Sequence, residues 1–195
     1  MGRLRTVDDN RILEVARQAF LARGHLASTR EIADGVGISQ AVLFQRFGSK
    51  EKLFFAAMAP PSPDVEHILG STPDDRSETE LYLVDVCERL YEYFESVAPL
   101  FVQLATHESF DTEHLASAHQ PIVDSGIHEA FRERIDELLA TGFISGGNGA
   151  AITQLLVSVV HGEALASAIM KVPPDVRRRR EMFRTVWRGL SPEGS

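Results

Sequence analysis

The chain has 195 residues, enough for one domain or for a small one joined to a larger one. Hydrophobic residues make up 44% and charged residues 25%, which excludes disordered, collagenous and coiled-coil chains. The single cysteine, Cys87, excludes an internal disulfide framework and a multi-cysteine zinc site, so a reducing compartment is expected. The formal charge of −8 is unevenly spread: residues 1–52 carry +3 and the remainder −11. A basic head on an acidic body suits a protein that meets a polyanion at one end only, although a chance excess of this size is not rare.

Arg3, Arg5, Asp8 and Asp9 have no apolar run behind them, so the N-terminus does not read as a secretory signal. Met1–Thr6 fits the loose myristoylation pattern, which is common by chance. The most apolar stretch, Ala150–Met170, is broken by Gln154, His161 and Glu163. No membrane partner is expected, and the location reads as cytoplasmic.

Helical periodicity dominates. Thr6 and Asp9 form a capping-box pattern, Gly24 offers a stop, and Ile12, Leu13, Ala16, Ala19 and Phe20 share one face between them. A second helix opens at Ser28, with Glu31 three residues on, and ends at Gly35 or Gly37. Ser39 caps a third carrying Val42, Leu43 and Phe47, which Gly48 ends; Ser49 caps a fourth carrying Leu53, Phe54 and Met58. Pro60, Pro61 and Pro63 forbid continuation and mark the clearest boundary. Longer amphipathic segments follow at 78–107, 121–142, 148–171 and 175–190, with a glycine-rich turn at 145–149. The expected fold is all-α, with about eight to ten helices judged by usual lengths. Its parts are an N-terminal helix-turn-helix domain over 1–58, including a linking helix at 49–58, and a larger C-terminal domain over 64–195.

Ser28–Phe47 carries the strongest functional signal. Two short helices are joined by Gly35-Val36-Gly37-Ile38, where Gly37 can take a positive φ at no steric cost. Ala33 permits a close crossing, and Ile32, Val36, Ile38 and Leu43 form an apolar seam. The second helix would lie in the major groove with Gln40, Ala41, Gln45 and Arg46 outward. Gln pairs bidentately with adenine, Ala contacts a thymine methyl, and Arg pairs with guanine or phosphate. Thr29, Arg30 and Lys50, at helix starts, suit phosphate oxygens. A helical hairpin with a merely solvated polar face has the same pattern.

Arg11-Ile12-Leu13, Ala16, Ala19-Phe20, Gly24, Thr29, Ile32-Ala33, Gly37-Ile38-Ser39, Leu43-Phe44, Phe47 and Ser49-Lys50-Glu51-Lys52-Leu53 resemble the N-terminal domain of the TetR family of bacterial transcriptional regulators. The resemblance covers about residues 6–54 and adds Ser39 and Phe44 to the DNA-facing set. Family members usually have Tyr where this chain has Phe44, which lacks the phosphate-binding hydroxyl, and often His where it has Arg46, which adds a charge. The family implies a partner in double-stranded palindromic DNA, a homodimer, and a divergent C-terminal pocket for a small-molecule effector, with the last two helices forming a four-helix interface.

The residues beyond the head are compatible with that implication. Met182, Phe183, Val186, Trp187 and Leu190 make an apolar stripe, and Ser158, Gly162 and Ala166 are four apart on the preceding segment; intrachain packing would use the same faces. Two heads about 34–36 Å apart would read a palindrome along one face of DNA. Tyr91, Phe94, Phe101, Phe110, Phe131 and Phe143 read mostly as core. If the family architecture holds, all but Phe143 are candidates to line a ligand cavity, with Gln103, His107 and Glu163 as polar anchors.

Other constellations are weaker. His107, Glu108, Asp111, Glu113, His114 and His119 crowd one segment without a paired-histidine metal motif, so a solvated helix end is expected there. The glycine-rich turn lacks the lysine of a phosphate loop. Arg177–Arg180 encircle a helix, being about 100° apart, and read as solvated or ion-paired. Cys87 reads as a small core residue, with a sensing thiol as the alternative. No cofactor, metal or catalytic residue is expected. The reading is a dimeric regulator, probing DNA as a ligand-released repressor; the alternatives are a metal-dependent hydrolase at His107–His119 and an interaction module that does not bind DNA.

Overall fold

The computed structural model describes residues 7–171 and 175–190, and those residues are helical with no strand among them. In chain order the helices are α1 (Asp9–Arg23), α2 (Thr29–Val36), α3 (Gln40–Phe47), α4 (Lys50–Met58), α5 (Val65–Leu69), α6 (Thr79–Ala105), α7 (Thr112–Asp124), α8 (Ile127–Ala140), α9 (Gly149–Met170) and α10 (Val176–Leu190). Short 3-10 turns lie at Gly24–Leu26 and Arg76–Glu78. The backbone groups into two compact units: 1–60 with 99–119, and 61–98 with 120–195. The division falls within α6 at Pro99 and within α7 just before Pro121.

The first unit is built on α1, which packs against α2 and α4. Ile12, Ala16 and Phe20 are its buried residues, each four apart on one face, while Leu13 and Ala19 from the expected set are half-buried. Phe20 meets Phe54 of α4 edge-to-face, with centroids 5.2 Å apart. Arg17 of α1 donates to the carbonyls of Ala57 and Ala59 at 2.8 and 3.0 Å, satisfying acceptors that the end of α4 leaves without a helical partner. Asp8, not Thr6, stands at the start of α1 and its side chain makes no cap bond; Thr6 lies outside the described residues.

In the second unit α8 packs against α9. Ile127, Phe131, Ile135 and Leu138 are buried on α8, and Ile152, Leu156, Val160 and Ala164 are among the buried residues of α9. Across α6 and α10, Arg179 Nη2 lies 2.7 Å from Glu88 Oε2 with both side chains under one-tenth exposed. The same guanidinium sits 3.7 Å from the centroid of the Tyr91 ring. Of the four-arginine run, Arg180 lies 3.7 Å from Asp85, and Arg177 and Arg178 are exposed. The expected encirclement is what the helix shows.

The helix expected over 121–142 is two. Helix α7 ends at Asp124 and α8 starts at Ile127, after Gly126 with φ 70°, and α7 begins nine residues before Pro121. Pro121 therefore lies inside a helix and not at its start. Asp111 opens α7: its carboxylate accepts from the His114 N–H at 2.9 Å. Helix α5, held by the Asp64 carboxylate accepting from His67 N–H at 3.0 Å, is an element the sequence reading lacked. Helix α9 is, among the described residues, the one long and apolar enough by length and composition to cross a bilayer.

Candidate nucleic-acid interface

Helices α2 and α3 form the two-helix unit that the glycine spacing implied. Ser28 accepts from Glu31 N–H at 3.4 Å and Ser39 from Val42 N–H at 3.2 Å, so each helix begins on a side-chain cap. Between them Gly37 adopts φ 74°, ψ 32°, the left-handed conformation that ends α2 and lets its own N–H return to Ala33 and Asp34 carbonyls. Ile32, Ala33 and Leu43 are buried at the crossing, with Val36 and Ile38 half-buried beside them. Ser49 caps α4 by accepting from Lys52 N–H at 3.1 Å.

The DNA-facing candidates fall into two groups. Arg30, Ser39, Gln40, Ala41 and Gln45 are exposed, and Phe44 is half-buried. Thr29 is buried, and its hydroxyl accepts from Gln40 Nε2 at 2.6 Å, tying the first residue of α3 to the first residue of α2. Lys50 Nζ donates to the His25 carbonyl. Arg46 turns back on its own unit, where it donates to the Val7 carbonyl and to Asp9 Oδ1, the latter at 3.0 Å. Nothing in the spacing of Arg46 indicated those partners, because they lie 37 and 39 residues away in sequence.

The candidates for effector binding divide between the two units. Tyr91, Phe94 and Phe131 are buried in the second and Glu163 is half-buried there. The Tyr91 hydroxyl lies 3.3 Å from Glu95 Oε1 and 3.4 Å from Ser167 Oγ, and Phe94 packs 4.9 Å from His161. Phe101, Gln103, His107 and Phe110 are half-buried in the first unit, where Gln103 Nε2 donates to Thr106 Oγ1 at 3.1 Å. His107 lines a cleft of about 220 Å³ with Phe20, His25, Lys50, Glu51, Phe54, Glu108 and Ser109.

In the histidine-rich segment Glu108, Asp111 and Glu113 are exposed, as a solvated helix end would have them, whereas the histidines pack on aromatic rings. The His107 ring stacks on Phe54 at 4.7 Å, His114 stacks on Phe55 at 3.8 Å, and His119 lies 4.5 Å from Phe101. His114 Nδ1 is 2.8 Å from Asp111 Oδ1, and its backbone and side-chain hydrogen bonds hold that carboxyl below the usual carboxylate range. No group of three His, Cys, Asp or Glu side chains converges on a metal-sized position among the described residues.

Of the proposed interface residues, Ser158 and Gly162 are exposed on α9 and Ala166 is half-buried. On α10, Met182, Val186 and Trp187 are half-buried, whereas Phe183 is 3% exposed and belongs to the core of its own unit. The Leu190 side chain lies outside the described residues.

A capped pair of short helices joined by a left-handed glycine, carried on an all-helical chain, is the architecture of a helix-turn-helix DNA-binding protein. Residues 12–57 match the family model described as bacterial regulatory proteins, tetR family. The fold agrees with solved structures across nearly their whole lengths. A protein described as a TetR-family transcriptional regulator of Mesorhizobium loti has 18% identity and a TM-score of 0.70, covering 94% of this chain and 96% of that one. NalD, the secondary repressor of the MexAB-OprM multidrug efflux pump in Pseudomonas aeruginosa, has 19% identity and a TM-score of 0.61, with coverage of 94% and 96%. The fatty acid degradation regulator FadR from Bacillus halodurans has 12% identity and a TM-score of 0.62, with coverage of 91% and 92%. No curated protein matches the chain by sequence. The chain carries the helix-turn-helix of the TetR family on a TetR-like all-helical fold.

Proposed function

We propose that the protein is a cytoplasmic, homodimeric, sequence-specific regulator of transcription, a repressor that a small-molecule effector releases from a palindromic operator. The observation that carries this reading is the open face of α3: exposed Gln40, Ala41 and Gln45 on a helix capped at its start, within the segment that matches the family model. Gln45 and the free half of the Gln40 amide read base edges, and Ala41 rests on a thymine methyl. Arg30 and Lys50 meet phosphates, setting register without carrying sequence.

Dimerisation is supported by α9. Leu155, Ser158, Gly162, Ile169 and Met170 are exposed along a helix whose buried residues are already used within its own unit. A second copy covering this face brings small residues against a partner helix and places two heads on one side of DNA. An effector in the C-terminal part acts by binding one conformer better than the other; a coupling of about 1–3 kcal/mol weakens operator binding about 5–150-fold.

The test is selection of genomic fragments by the purified chain, followed by affinity measurement across salt concentrations. A single recovered palindrome, bound with a steep salt dependence, is the expected result. A chain with equal affinity for all duplexes, or none, defeats the reading. Replacing Gln45 with Ala relaxes sequence preference at one position by about 1–3 kcal/mol, measured on duplexes changed one base pair at a time.

A further inference from the structure

The guanidinium of Arg46 is the one charged group on α3, and it is already engaged. Its Nη1 donates to the Val7 carbonyl and to the Asp9 carboxylate at 3.0 Å, and the side chain is 24% exposed. Val7 and Asp9 flank the start of α1, where Asp8 makes no side-chain cap bond. Helix α1 packs on α2 and α4, and α3 packs on α2 and α4 in turn. Arg46 thus adds a direct bond from the last turn of α3 to the first turn of the helix that frames the head. At the other end of α3, Gln40 reaches buried Thr29 at 2.6 Å. The short helix is pinned at both ends by its own side chains.

We infer that Arg46 is a positioning residue: its pairing with Asp9 and Val7 sets the tilt at which α3 meets the bases, and it is not a phosphate ligand. The inference rests on the reading of α3 as the helix that enters DNA. A guanidinium paired to a carboxylate at this distance has its charge partly balanced locally, which weakens its pull on a phosphate. An eight-residue helix has few contacts to resist rotation, so a tie at its C-terminal end controls where Ala41 and Gln45 point. The side chain is long and permanently charged, and it spans to α1.

The experiment uses the full chain, a duplex that the unmodified protein selects from a random-sequence pool, and a scrambled duplex of equal length. Affinities for both are measured from about 50 to 200 mM salt. Arg46→Ala and Asp9→Asn are each expected to lower the ratio of selected to scrambled affinity about tenfold while leaving the salt slope of the selected duplex unchanged, and the double variant loses no more than either single one. Partial unfolding lowers the active fraction for both duplexes alike and leaves the ratio where it was. The inference is overturned if Arg46→Ala weakens both duplexes equally and flattens the salt slope by about one while Asp9→Asn does neither, the signature of a lost phosphate contact. Additive losses in the double variant overturn it as well. An unmodified protein that selects no duplex sinks the DNA-reading role itself, and this inference with it, and is recognised before any variant is made.

Discussion

Arg179 and Glu88 show how far a single residue's role escapes its neighbours in sequence. In a run of four arginines, three positions are exposed or partly so and one is driven into the body by helical rotation, where Glu88 and the face of Tyr91 receive it. Removing one member of such a pair strands a buried charge. Arg179→Ala is therefore expected to cost about 3–5 kcal/mol in denaturant unfolding, and replacing both residues together by Met and Leu to cost much less. Cys87, one residue before Glu88, is buried at 1% exposure, which favours the core reading over a sensing thiol. Burial, helped by the adjacent carboxylate, pushes its thiol up to about 12. At pH 8 the thiolate fraction is about one in ten thousand, so an aromatic disulfide reagent should leave the folded chain untouched and react in full after denaturation. Rapid reaction in the folded state would restore the sensing role.

The elements divide into those announced by local chemistry and those decided by distant contacts. Ser28, Ser39 and Ser49 were legible as caps because a hydroxyl three residues before a free backbone N–H acts within one turn. Ser39→Ala removes one such bond; about 1 kcal/mol of local stability should go with it, seen as roughly fivefold faster hydrogen exchange at Val42 and Leu43 with α1 unaffected. Gly37 was legible for a similar reason, its φ being available to few other residues. Pro121 misled because proline favours the first turn of a helix, yet Asp111 supplied the earlier start, and an Asp-Thr-Glu-His run was there to be read. The partners of Arg46 and the stacking of His107 on Phe54 had no local signal: each joins residues that only the packed helices bring together.

For the whole molecule, the unequal charge was the first hint of one nucleic-acid end, but composition says nothing about how many copies bind. Helix α9 does. It packs on α8, while Gly162 is exposed, and a side chain there would meet no neighbouring atom within 4 Å of its Cβ. A single chain therefore has room for any side chain at 162, and replacing a mid-helix glycine lowers the backbone cost of the helix by up to about 1 kcal/mol. A partner helix packed on the same face has no such room. Gly162→Arg should keep the far-UV helix signal while sedimentation shifts from dimer to monomer. Affinity for a palindromic duplex should fall at least tenfold with it, since one head makes half the contacts, and affinity for a single half-site should hold. A Gly162→Arg protein that remains dimeric would move the self-association surface off this face of α9.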